Sequence, residues 1–202
     1  QKNILVGVSG GIAAYKIPLL IRQLIKLNCK VKVVMTPSSK EFVTPLTLST
    51  VSNNDVFSEF TTQKNNNPSW NNHVELAEWA DIFIIAPATS NTISSMVNAK
   101  CDNILLACFL SSKCPVFVVP AMDLEMYKNS LNQNNLKKLQ TNLTDVLPVG
   151  SGSLASGLEG EGRMLEPVEI IQYVEAKIKD TLPLNNLNFL LYSIGHQLSI
   201  KK

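Results

Sequence analysis

"KNILVGVSGGIAAYKIPLLIRQLIKLNCKVKVVMTPSS" (residues 2–39) contains two short apolar runs separated by one long helical period. Asn3–Val8 reads as a buried strand, and Gly10-Gly11 ends it. From Ile12 to Leu27, apolar residues recur at helical spacing through Leu20, Leu24 and Leu27, with a kink expected at Pro18. Val31–Met35 then repeats the strand pattern. Neither strand alternates apolar with polar residues, so both of its faces are expected to be covered.

The same rhythm continues along the chain. Ser39–Thr50 reads as helix broken near Pro45, and Thr61–Asn72 as a polar, asparagine-rich mobile loop. His73–Trp79 is a short helix, Ile82–Ala86 a strand, and Thr92–Val97 and Asp102–Leu110 are helices. Val116–Val119 is another strand, Leu136–Leu139 lies on a helix, Val146–Pro148 fits a last strand and Val168–Ile178 a closing helix. The alternation predicts an α/β fold with three layers, Rossmann-like or flavodoxin-like, in which helices cover both faces of a mostly parallel sheet. Residues 1–180 make the domain; 181–202 are expected to be a tail or a shortened linker.

The 202 residues suit one compact domain with a full core. Basic and acidic residues nearly balance and are interspersed, which argues against a nucleic-acid groove or a membrane-surface patch. No apolar stretch approaches the roughly 20 residues of a membrane helix, so a cytoplasmic protein is expected. Cys29, Cys101, Cys108 and Cys114 lack metal-binding spacing and read as reduced, buried small side chains; no metal site is expected.

In a parallel sheet, ligands bind beyond the carboxyl ends of the strands. The first such end, "VSGGIAAYK" (8–16), contains Ser9, Gly10, Gly11 and Ile12, and glycines there let backbone N–H groups approach an anion at a helix start. A plain tight turn would give the same pattern. The second end, "MTPSSKEF" (35–42), has Thr36 and Ser38 where a dinucleotide fold would place an acid for a ribose. Pro87, Thr89, Ser90, Asn91 and Thr92 crowd the third end, each also a possible cap. Hydroxyl-rich ends meeting on one edge favour a phosphorylated mononucleotide.

Three further segments stand out. His73 opens "HVELAEWADIFIIAPATSNT", where a solvated histidine is the plainer reading. In "PAMDLEM" (120–126), Asp123 is a candidate helix cap, and Met122 and Met126, four apart, are both placed to face the core. "SGSLASGLEGEGRMLEP" (151–167) reads as a flexible flap whose one cation is Arg163, and long loops beside a ligand edge often act as lids.

The ordered set "GVSGGIAAYK", "HVELAEWAD", "APATSNT", "PAMDLEM" and "GEGRMLEP" resembles the flavin-containing cysteine decarboxylases over roughly residues 3–178, above all those acting on phosphopantothenoylcysteine. The flavin prenyltransferases share the fold but fit these motifs less well. The resemblance implies FMN, its phosphate and ribityl chain held by Gly10, Gly11, Ile12, Thr36, Ser38 and Thr89–Thr92, with Ala121 near the flavin. It implies His73 as active-site histidine, Gly150–Met164 as substrate clamp, and Met122, Asp123, Met126, Arg163 and Met164 at the substrate. It also implies a homo-oligomer, a trimer or a dodecamer of trimers, with sites at subunit contacts. The implied substrate is a phosphorylated cysteine conjugate. Its carbon bearing sulfur gives up a hydride, the resulting thioaldehyde lets CO2 leave, and the enethiol left behind takes the hydride back with a proton.

Two positions depart from that family. Its motif commonly reads PAMN, with the asparagine on the substrate carboxylate; here Asp123 stands there. Two carboxylates about 4 Å apart repel by about 4 kcal/mol at an effective dielectric near 20. Asp123 is therefore expected to be protonated and donating to the substrate carboxylate, to turn toward backbone N–H groups, or to be neutralised by Arg163. Ser156 occupies the position where many relatives carry the cysteine that protonates the enethiol. Either Ser156 relays a proton, or the reaction stops at the enethiol as in peptide-modifying relatives. A flavin-binding regulatory subunit is the third reading. "LPLNNLNFLLYSIGHQLSIKK" (182–202) resembles the junction to a fused ligase domain, and a disordered tail is the plainer reading.

Overall fold

The computed structural model describes residues 1–64, 67–154 and 156–181; the expected tail lies outside the described residues. The central sheet contains β1 (Asn3–Val8), β2 (Lys30–Met35), β3 (Val56–Phe57), β6 (Ile82–Ala88), β7 (Val116–Pro120) and β8 (Thr144–Val146). Two small hairpins stand apart from it, β4 (Thr61–Lys64) with β5 (Asn67–Trp70), and β9 (Gly150–Ser153) with β10 (Glu159–Arg163). The strands of the large sheet run β3-β2-β1-β6-β7-β8, and every neighbouring pair is parallel. This is the doubly wound order, with the chain reversing direction across the sheet between β1 and β6.

Successive β1 side chains point to opposite faces. Ile4, Val6 and Val8 pack under α1 (Ile17–Lys26), α2 (Pro45–Ser52) and α8 (Pro167–Thr181), through Ile17, Leu20, Ile21, Leu48 and Ile170. Leu5 faces the other way, toward α3 (His73–Trp79), α4 (Ser90–Val97), α5 (Ile104–Ser111) and α7 (Ser130–Leu139), through Leu76, Ile93, Leu105 and Leu136. The short α6 (Leu124–Lys128) follows β7 at the rim. Two separate apolar clusters on the two faces of one sheet make the expected three layers.

Three local expectations change and one holds. Pro18 does not kink a long helix: Ile12–Lys16 is a 3-10 turn and α1 starts at Ile17, so Pro18 falls in the first turn, where its missing N–H costs nothing. The break expected near Pro45 is present: a 3-10 turn over Pro37–Glu41 is separate from α2, which Pro45 opens behind the Thr44 cap. The polar stretch after Thr61 is a hairpin, with Thr61 paired to Trp70. Cys29 and Cys108 are buried, and burial pushes the Cys108 thiol up to about 12, but Cys101 is exposed.

Candidate active site

At the sheet's reversal, Ser9 braces the ends of β1 and β6. It is fully buried, its hydroxyl donates to the Pro87 carbonyl at 2.6 Å, and it accepts the Thr89 N–H at 3.1 Å. Ser9 and Pro87 therefore shape the crevice from beneath rather than line it. Gly10 presses against the Ser38 side chain so closely that a β-carbon would overlap it, and a β-carbon on Gly11 would stand 3.1 Å from Thr89 Cγ2. Thr36 Oγ1 and Ser38 Oγ are 3.2 Å apart. Among the described residues the Gly10 and Gly11 amides have no protein acceptor.

Thr89 caps α4, accepting from the Thr92 N–H at 3.4 Å, which leaves the first amides of that helix pointing outward. Thr92 is buried beneath the cap and Asn91 is exposed. The Ser90 hydroxyl is committed to Asn132 Oδ1 on α7 at 2.6 Å. Free amides, a helix N-terminus and hydroxyls thus converge as an anion cradle.

Beside the cradle lies a cleft of about 410 Å³ between the Gly11–Lys16 turn, Ala121–Asp123 and the flap residues Ser153, Leu154 and Gly162–Met164. The expected loose flap is an ordered hairpin docked on the rim. Met122 N–H donates to the Gly162 carbonyl at 3.0 Å. Gly162 adopts φ +129° and packs onto the Met122 carbonyl with no room for a side chain, so glycine is required there.

Asp123 caps α6, its Oδ1 accepting from the Leu124 N–H at 2.7 Å and from the Ser156 hydroxyl at 2.9 Å. Turning to a backbone N–H, one of the three expected arrangements, is present. Arg163 instead sits on Glu166, Nη2 to Oε1 at 3.3 Å. The same Glu166 oxygen receives the buried Lys16 ammonium at 2.7 Å, and Lys16 also donates to the Met164 carbonyl at 3.1 Å. That Lys16 hydrogen bond, with Arg163 adding to it, holds the Glu166 carboxyl below the usual carboxylate range.

The expected residues divide. Gly11, Ile12, Ala121, Met122, Asp123, Arg163 and Met164 line the cleft, and Ser156 reaches it through Asp123. Met126 does not face the core with Met122; it is exposed on the outer side of α6. His73 is not in the cleft. Its ring stands edge-on to Phe60 at 6.1 Å and Trp70 at 5.9 Å, with Nδ1 buried and without a partner among the described residues. Lys16, Tyr15 and Glu166 were not anticipated. The available signal was a lysine four residues before Leu20, inside the buried stripe of the first helical segment.

The family model described as Flavoprotein matches residues 1–179. The chain is 41% identical over 187 residues to the coenzyme A biosynthesis bifunctional protein CoaBC of Haemophilus influenzae, covering 93% of this chain and 46% of that protein. It is 46% identical over 132 residues to a cysteine/cysteine sulfinic acid decarboxylase of an unknown prokaryotic organism, covering 65% of this chain and 36% of that one. It therefore spans less than half the length of either curated relative. Among solved structures, a cysteine-to-serine variant of PPC decarboxylase complexed with pantothenoylaminoethenethiol superimposes with a TM-score of 0.77 at 30% identity, covering 89% of this chain and 99% of the other.

Proposed function

This chain belongs to the flavoprotein family, among its flavin-dependent cysteine decarboxylases, and from that premise we propose that it converts phosphopantothenoylcysteine to phosphopantetheine and CO2 with bound FMN, in the cytoplasm. The observation that carries the reading is the meeting, at the sheet's reversal, of an anion cradle with a cleft closed by a glycine hairpin. Gly10, Gly11, Thr36, Ser38 and Thr89, with the first amides of α4, fit a phosphate and a polyhydroxyl chain; Ala121 leaves space for a flat ring. FMN, when bound, supplies a reversible two-electron acceptor.

The chain's own residues bind and orient. Met122 and the flap exclude water from the cleft, and Asp123 stands where the departing carboxylate would lie. Lys16 and Arg163 both engage Glu166 and so hold the root of the flap beside the cleft. Ser156 hands a proton to the enethiol by way of the polar path it shares with Asp123. A second reading, arrest at the enethiol, draws on one observation: the similar solved decarboxylase was captured with an enethiol when a serine replaced a cysteine, and this flap carries Ser156. The cysteine/cysteine sulfinic acid relative widens the substrate class to cysteine compounds as a group.

His73 enters from a neighbouring subunit in this reading. Trp70 and Val74 beside it are exposed, as are Ile12 and Tyr15 beside the cleft, and such apolar patches suit a homotrimer or a dodecamer built of trimers. The test is the flavin absorbance of the purified protein, then product mass with phosphopantothenoylcysteine. Loss of CO2 alone is expected; loss of two further hydrogens marks arrest. A protein that neither retains nor takes up FMN ends the proposal.

A further inference from the structure

Asp123 presents two unequal oxygens to the cleft. Oδ1 already takes two hydrogen bonds, from Leu124 N–H and from Ser156, whereas Oδ2 has no partner among the described residues. The two cations lining the cleft are both spent on one other carboxylate: Lys16 lies 2.7 Å and Arg163 3.3 Å from Glu166 Oε1. Glu166 is fixed for that task, because its N–H donates to Glu169 Oε2 at 2.7 Å and its carbonyl accepts Ile170 N–H at 3.0 Å, at the start of α8. Among the described residues, the cleft cations are thus engaged on Glu166 and none is placed on Asp123.

We propose that Asp123 is the receptor for the α-ammonium group of an unacylated cysteine, so that this site also decarboxylates free cysteine to cysteamine. The inference rests on the flavin-dependent decarboxylase reading above. An acylated cysteine brings its carboxylate next to Asp123 with only a neutral amide beside them. A free cysteine brings an ammonium on the very carbon that bears the carboxylate, so one cation separates and neutralises both negative groups. An asparagine in this place would hydrogen-bond either compound but could not tell charge from no charge. The overall step is balanced: the bond to the carboxylate carbon breaks, its electron pair stays on the remaining carbon, a proton takes the vacated position and CO2 leaves. The two electrons lent to the flavin during turnover return to the product, so no outside oxidant or reductant is consumed.

The experiment uses the FMN-loaded protein and its Asp123→Asn variant with three thiols, cysteine, N-acetylcysteine and phosphopantothenoylcysteine. Asn caps helices as well as Asp, so the variant is expected to fold, which its thermal midpoint checks. Wild type is expected to form cysteamine and to prefer cysteine over N-acetylcysteine in kcat/KM. Asp123→Asn is expected to lower that preference roughly ten- to a hundredfold, the worth of one charge-assisted hydrogen bond. An unchanged preference, or turnover of phosphopantothenoylcysteine with none of cysteine, overturns the inference and leaves the decarboxylase reading standing. If no thiol reacts, that reading falls, and calorimetric titration still decides the contact. Cysteamine binding more tightly than N-acetylcysteamine to wild type but not to the variant supports it; equal binding of the two to wild type removes it.

Discussion

The Ser156 hydroxyl donates to Asp123 Oδ1 across 2.9 Å, so one bond ties the tip of the flap to the turn that follows β7. Ser156 is exposed, and an exposed hydrogen bond adds little to folding. Ser156→Ala is therefore expected to move stability by less than about 1 kcal/mol while lowering kcat/KM about tenfold through a looser flap. Ser156→Cys should instead speed formation of the fully reduced product, since a thiol with a pKa of about 8.5 gives up its proton far more readily than a hydroxyl. Urea midpoints and the rates at which the three proteins form product of the reduced mass check these statements, and equal rates in wild type and Ser156→Cys would remove Ser156 from the proton path.

The flap is also held at its root. Lys16, buried in the first helical segment, reaches Glu166 from 150 positions away in sequence. The carboxyl is favoured as an anion in the folded chain, so its contribution is complete above the ordinary glutamate pKa of about 4.3 and fades as pH falls through its lower folded value. Half-exposure of Glu166 keeps that contribution near about 1 kcal/mol. Urea midpoints of wild type and Glu166→Gln should differ at neutral pH and converge in acid below the usual carboxylate range. A gap that persists there would assign the effect to packing.

Glu175 titrates in the opposite sense. It is buried on α8 beside Leu24, Leu27, Ile171 and Val174, with Oε1 unpartnered among the described residues, and burial pushes its carboxyl up, partly offset by Lys179. The folded state then binds the proton more tightly than the unfolded one, which costs stability above the folded pKa and nothing below the unfolded value. Glu175→Leu is expected to raise the thermal midpoint at pH 7 and to lose most of that gain near pH 3, where wild-type Glu175 is protonated in both states. A lower midpoint at pH 7 would mean that Glu175 serves a partner the apolar side chain cannot satisfy.

What could be read from residues alone follows the range of the forces. β1, β2, β6 and β7 are covered on both faces, so each is continuously apolar and visible as a run. The β4–β5 hairpin is built mostly of polar residues and carries no such mark. The flap hairpin is nearly bare of strand-forming residues; the Met122–Gly162 hydrogen bond and left-handed glycines hold it, and these appear only once the rim is built. The strand ends at Gly10, Ser38 and Thr89 were legible because glycines and hydroxyls punctuate strands. Lys16 and Glu166 were not, since an ion pair between distant segments leaves no local pattern.

Gly162 offers a direct trial of that docking. A methyl group there would meet the Met122 carbonyl, and φ +129° disfavours any side chain. Gly162→Ala is expected to lift the flap, cut kcat/KM by more than about tenfold and destabilise the chain by about 1–3 kcal/mol. Retained FMN absorbance in the same variant separates loss of the flap from loss of the cradle. Gly10→Ala, pressed against Ser38, should reverse the pattern and release flavin first.

His73 and Asp123 lie on different parts of one chain, and only His73 is missing from the cleft. If each complete site takes His73 from one subunit and Asp123 from the next, two inactive proteins can repair each other. His73→Gln and Asp123→Ala, each inactive alone, are unfolded together, mixed in equal amounts and refolded. Random assembly then pairs an intact histidine with an intact aspartate at roughly a quarter of the sites, because the interface is heterologous and each face is intact in half of the chains. Activity near that fraction of wild type is the expected result. The Nδ1 between Phe60 and Trp70, without a partner among the described residues, then has one to find across the subunit boundary. No recovery after refolding, with both variants shown to assemble, would place the histidine's work within its own chain and require the hairpin bearing Trp70 to move.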